Sequence, residues 1–224
     1  PAFPIREFGK RLSLTLKVAF GQTKIFRRPV IGFFHALVFW GFCIILFGSI
    51  EMVIDGLAGS ERALHFLGGF YNFMIASGDI FAVIVSLSII IFLSRRLFFH
   101  IRRFEGTEMR RRSHIDANTA LSLILLLMIS LIGMNAGYSG YAAREGAEIH
   151  GVFPVGTFIA ALFPGTSAQN FRMVHEISWW THILLIFIFA NYLPYSKHFH
   201  VFMSVPNVFL SRLEPLGTLA NMEN

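Results

Sequence analysis

His175–Pro206 reads HEISWWTHILLIFIFANYLPYSKHFHVFMSVP and holds four of the chain's nine histidines, at 175, 182, 198 and 200. The run Ile183–Leu193 carries no charge. Read as one continuous helix turning ~100° per residue, His175 and His182 fall within ~20° of one face, and His182 and His200 share that face. His198 points roughly 160° away from His182. The helical rise sets His182 and His200 ~27 Å apart, close to the thickness of a bilayer's hydrocarbon core. Histidines also gather at membrane interfaces, where a polar tip reaches water, but those have no reason to keep helical register across a span. An ionisable side chain on the inward face of a spanning helix is a functional candidate by default. The stretch therefore predicts a spanning helix with an imidazole near each side of the membrane, kinked but not ended by Pro194.

The remaining chain agrees with a membrane setting. Hydrophobic residues make up 54% of its 224 residues and charged residues only 14%, where a soluble domain carries about a quarter. Several apolar runs reach spanning length. The expected fold is all-α: an integral membrane four-helix bundle with an N-terminal interfacial helix and a short re-entrant or interfacial segment on the outer side. The net charge of +6 lies in basic blocks beside the apolar runs, which fits a membrane surface and not nucleic acid. The single cysteine, Cys43, permits no internal disulfide and no cysteine-ligated iron–sulfur cluster held by this chain alone. Residues 1–28 are rich in Lys and Arg and have neither the apolar core nor the small-residue cleavage pattern of a signal peptide.

Taken in order, residues 1–28 read as a cytoplasmic amphipathic segment lying at the interface. The bundle covers 29–203, with spans near 30–57, 71–99, 116–135 and 171–203. Asp116 or Asn118 is the expected N-cap of the third. VGTFIAALF, within the long connection from Ala136 to Arg172, is apolar but too short to span. Residues 204–224 read as a polar cytoplasmic tail leading to a partner domain. Sixteen of the nineteen Lys and Arg residues fall on the side of the N-terminal segment, the 94–115 loop and the tail. That asymmetry predicts both termini in the cytoplasm.

Stacked b-type haems need paired imidazoles from facing helices. His35 on the first span and His200 at the end of the fourth share the cytoplasmic depth and form the best pair, with His198 as the fallback for His200. On the outer side His182 is the strongest candidate, with His65 as first choice of partner. His175 can replace His182 or cap its site, but two histidines seven apart on one helix cannot clamp one iron from both sides. His100 and His114 read as solvated, and His150 as an outer-loop residue. Trp179 and Trp180 suit an aromatic belt. Glu176 and Arg172, close to His175 by helix spacing, are the polar groups available to a quinone there.

The phrase THILLIFIFANYLPYSKHFHVFMSVP resembles the last helix of the cytochrome b (gamma) subunit of respiratory nitrate reductase, which has two histidines eighteen apart followed by an aromatic-Ser-x-Pro-like turn. GFFHALVFWGFCIILFGSIE resembles that family's first ligand helix, and His35 takes the place of its cytoplasmic-side ligand. Over nearly the whole chain, FRRP, FHALVFWGF, LPYSKHFH and PNVFLSRLEPLG resemble the membrane domain of heterodisulfide-reductase-like iron–sulfur oxidoreductases. That likeness implies one or two haems b and a quinone, menaquinone or ubiquinone. It also implies a cytoplasmic iron–sulfur domain or subunit, in some members an electron-transfer flavoprotein, and a bacterial or archaeal cytoplasmic membrane. Ile45 stands where the nitrate reductase family has its second histidine, so an outer haem must recruit His65 or be absent. The expected function is electron transfer between the cytoplasmic partner and quinone. The rivals are a haem-free anchor for a soluble partner and a transporter. The latter has no internal repeat or paired broken helices in its favour.

Overall fold

The computed structural model describes residues 6–60, 62–99 and 111–213. Residues 1–5, His100, the arginines at 102, 103 and 110, and the tail from 214 lie outside them. Among the described residues seven α-helices follow one another: α1 Phe8–Thr15, α2 Pro29–Ala58, α3 Gly69–Leu97, α4 Arg111–Glu145, α5 Pro154–Ala161, α6 Ala168–Tyr192 and α7 His200–Phe209. No strand occurs among the described residues. Four helices, α2, α3, α4 and α6, are long and apolar enough to cross a membrane. The all-α bundle expected from composition is therefore what forms.

The chain divides into two compact units, Pro1–Ala36 with Phe199–Asn224, and Leu37–His198. In the second, Ala82, Val85 and Ile89 of α3 pack on Leu121, Leu127 and Met128 of α4, flanked by Val38 and Ile45 of α2 and Leu185 and Phe189 of α6. The opposite faces stay apolar and exposed. Leu46, Ile50, Val53 and Leu57 line one side of α2, and Ile177, Trp180, Leu184 and Phe187 one side of α6. Such helical stripes are costly in water and cost nothing against lipid tails.

The α4–α6 seam is built on small residues. A Cβ added at Gly137 would lie 2.5 Å from the His175 backbone nitrogen, and one at Gly133 2.6 Å from Ser178 Oγ. Glycine there lets the two backbones approach, as membrane helices favour. Gly137→Val should lower the unfolding midpoint in detergent and cost about 1–3 kcal/mol or more, the usual range for overpacking. An unchanged melting curve would mean that the seam can open without loss.

In the first unit, Arg11 is nearly buried and ties α1 to α7. Its Nη1 donates to Phe209 O at 2.9 Å and to Ser211 O at 2.8 Å, carbonyls left over at the end of α7. Phe8 meets Phe209 edge-on at 5.6 Å. Residues Leu16–Phe20 extend α1 as a π-helical turn, and Phe8, Leu12, Leu16 and Phe20 remain exposed. That stripe is the apolar face of an amphipathic segment.

Three boundaries differ from those read in the sequence. The fourth span does not run on to residue 203: α6 ends at Tyr192, a 3₁₀ turn covers Leu193–Tyr195, and Ser196 is extended at φ −98°, ψ 152°. Pro194 lacks an N–H, and the break is fixed from outside the helix, because Asp116 accepts from the Lys197 backbone N–H at 3.1 Å and from Tyr192 Oη at 2.5 Å. Asp116 is therefore no N-cap; α4 starts at Arg111, and its far end runs ten residues past Asn135 to Glu145. Ser204–Phe209, expected in the polar tail, belongs to α7, with Pro206 inside it. The continuous helical phase from His182 to His200 does not survive the break.

Candidate cofactor sites

His35 lies in the second turn of α2, after a start at Pro29, which suits a helix's first position. His200 opens α7. Their rings stand 6.1 Å apart between centroids, 31° from parallel. His35 Nδ1 is buried and has no hydrogen-bond partner among the described residues. Two imidazoles gripping one metal from opposite sides, with bonds of ~2 Å, place their centroids ~6 Å apart. The spacing of the pair fits a bis-histidine haem iron. His198, the fallback, turns instead to Ser196, whose Oγ lies 3.2 Å from its Nδ1. The pairing expected from depth thus forms by another route than shared helical phase.

The second unit encloses a cavity of about 620 Å³ between α2, α3, α4 and α6, within the size range of cofactor sites. His150, His175 and His182 line it, together with Trp179 and Trp180, whereas His65 is not among the lining residues. His65 instead faces His150, ring centroids 5.1 Å apart, and its Nδ1 lies 2.8 Å from Arg62 O.

His182, 3% exposed, has its Nδ1 3.1 Å from Leu127 O and 2.9 Å from Ser130 Oγ. His175 Nδ1 lies 2.9 Å from Met134 O. A ring nitrogen beside a carbonyl must carry the proton, so Nε2 of each ring keeps its lone pair. Such second-partner bonds orient metal-ligating histidines, and the same lone pair accepts a hydroxyl proton equally well. Arg172 is engaged by Glu145 at 2.6 Å and lies over Tyr141, while Glu176 lines the cavity.

Sequence reading places Glu51 at the far end of the first span and Asp79 near the outer end of the second, and gives neither a role in the cavity's polar end. Glu51, 2% exposed, accepts from Leu64 N and Tyr71 Oη, both at 3.1 Å, with Arg62 Nη1 at 3.8 Å. The Arg62 guanidinium sits 4.9 Å from the centroid of the Tyr138 ring and 5.1 Å from that of Phe153. Asp79 holds the first turn of α5. The signal was present: both carboxylates interrupt apolar helices, where an acid is costly unless used. Among the described residues no group of three or more His, Cys, Asp or Glu side chains gathers to hold a metal ion.

Two curated proteins are similar to this chain. The probable iron–sulfur-binding oxidoreductase FadF of Bacillus subtilis is 28% identical over 97% of this chain, which spans 29% of its length. The EtfAB:quinone oxidoreductase of Syntrophomonas wolfei is 25% identical over 88% of this chain, spanning 27% of its length. The chain thus corresponds to less than a third of either relative. No profile of a known protein family matches it, and no solved structure does.

Proposed function

We propose that this chain is the haem b membrane part of an electron-transfer oxidoreductase, passing electrons between an iron–sulfur or flavoprotein partner and quinone. The observation that carries the reading is the His35–His200 pair at 6.1 Å. The names of the two relatives, one iron–sulfur-binding and one acting between EtfAB and quinone, support the same chemistry. The likeness to the nitrate reductase gamma subunit, read from the spacing around His182 and His200, belongs to this proposal too. The excess of Lys and Arg at one end of the spans supports a topology with both termini and His35 towards the cytoplasmic side of a bacterial or archaeal membrane. The partner, a separate subunit or a further domain, meets the protein there.

A haem supplies reversible one-electron transfer when bound. The chain's own residues do the rest. His35 and His200 would hold the haem from facing elements, α2 and α7. The cavity lined by His150, His175 and His182 receives the quinone head group, and Nε2 of His175 or His182 can accept from a hydroxyl of the quinol form.

A second reading has its own support: the carbonyl-bound Nδ1 of His182 also suits an axial ligand. A second haem would then occupy the cavity, with its other imidazole drawn from the His65–His150 pair. The reduced-minus-oxidised spectrum of the purified protein should show a b-type band, and a pyridine haemochrome assay about one haem per chain. A ratio near two favours the second reading. A featureless spectrum ends both and leaves a haem-free anchor.

A further inference from the structure

Quinone reduction consumes two protons for every two electrons, and the carboxyl groups of Glu51, Asp55, Asp79 and Glu176 line the cavity. We propose that Glu51 is the proton-exchanging residue of the quinone site, with Tyr71 and Arg62 as its positioning residues; this rests on the cavity being the quinone site.

Two buried carboxylates line the cavity, Glu51 and Asp79, and their partners separate their roles. Both Asp79 oxygens are spent on fixed donors, Asn135 Nδ2 and the backbone N–H groups of Val155 and Gly156. Glu51 has one oxygen, Oε1, on a fixed donor, Leu64 N, while its Oε2 meets groups able to tolerate either protonation state. Tyr71 Oη can donate to it or accept from it, and Arg62 stays 3.8 Å away, beyond a close ion pair. Arg62 reaches Glu51 from the loop that joins α2 to α3. In that loop Ser60 Oγ donates to Asp55 Oδ1 at 2.9 Å, and Arg62 N to Asp55 Oδ2 at 3.1 Å. Asp55, Ser60 and Arg62 also line the cavity. A polar route therefore leads from Glu51 to the loop at the helix ends, while the rest of the α2 wall near Ile44, Ile45 and Gly48 is apolar.

The step balances as follows. Quinone takes two electrons, supplied singly by ferrous haem b, and two protons. Glu51 gives one proton to a carbonyl oxygen, becomes a carboxylate beside Arg62, and regains a proton through the loop. The second proton follows the same path after Glu51 is reprotonated. Quinol oxidation runs these transfers backwards.

The test uses the purified full chain in two measurements. The first is haem-independent: 2-heptyl-4-hydroxyquinoline N-oxide, an acidic quinol analogue, should quench Trp179 and Trp180 in a saturable way. Glu51→Gln should weaken that binding about tenfold, since it removes one charge-assisted hydrogen bond. The second is the rate at which a naphthoquinol reduces the haem. Glu51→Gln should slow it about 100-fold or more, the usual yield of general acid–base catalysis. Glu51→Asp should recover part of that rate, and dithionite should still give the full haem band. An unchanged rate and unchanged quenching in Glu51→Gln overturn the assignment, as does loss of the haem band in that variant. Absence of haem from the wild type would sink the electron-transfer reading, and the quenching titration would still decide whether Glu51 faces the ligand.

Discussion

In protein carrying His35→Ala, the b-type haem band disappears from the difference spectrum and haem content falls by about one per chain. The expectation follows from geometry: His35 and His200 are the only histidine rings described in their unit, and they stand at the spacing of a shared iron. Removing either leaves one axial ligand. His200→Ala should therefore match His35→Ala, while His198→Ala, whose ring is turned to Ser196, should keep the band. A purely structural histidine predicts another pattern. His35 Nδ1 has no hydrogen bond to lose among the described residues, so the alanine variant costs haem without the penalty of stranding a buried donor or acceptor. His35→Gly supplied with free imidazole separates the two further, since a small ligand can refill an axial position but cannot rebuild packing. A normal band in His35→Ala would move the iron elsewhere.

That pair was legible in the sequence for reasons that only partly held. Depth along the spans selected His35 and His200, because rise per residue is a local property that any helix obeys. Helical phase selected His182 and His200 as facing one way, and there the argument failed at Ser196. Pro194 removes a donor, and Asp116, far away in sequence, takes up the freed Lys197 N–H. Nothing within the stretch announces that partner. The four spans were visible for the same reason as the depth: an apolar run of twenty residues has few alternatives to a helix in lipid. The length of α4 was not, because Asn135 and Arg144 look like a loop until their partners are known. Asn135 serves Asp79, Arg144 donates to Gly140 O and Phe163 O, and the small residues between them fit the seam with α6. His65 and His150 show the same limit, since their meeting depends on two loops whose course no periodicity encodes.

Asp79→Ala should be the most destabilising single substitution in the bundle. Asp79 is 1% exposed in the middle of α3. Its Oδ1 accepts from Asn135 Nδ2 at 2.9 Å, and its Oδ2 accepts from Val155 N at 2.7 Å and Gly156 N at 3.1 Å. The two backbone donors belong to the first turn of α5, whose N-terminus has no capping side chain of its own. Asp79 is thus the cap, delivered from another helix. It also sets a negative charge at the positive end of the α5 dipole. Alanine would strand two buried donors and one half-buried donor at about 1–3 kcal/mol each, and partial rescue by water reduces the sum to about 3–5 kcal/mol. An eight-residue helix has little stability of its own, so α5 should loosen first. Hydrogen exchange over Pro154–Ala161 should accelerate before the melting midpoint moves. Asp79→Asn keeps an oxygen for the two N–H groups, and Asn135 can turn its amide to suit. It should therefore cost only about 1 kcal/mol, the charge–dipole part. If asparagine proves as damaging as alanine, the charge itself is needed, and Asp79 becomes a rival to Glu51 for the proton. If alanine leaves α5 protected, packing of Phe153 and Ala160 holds that helix and the carboxylate is spare.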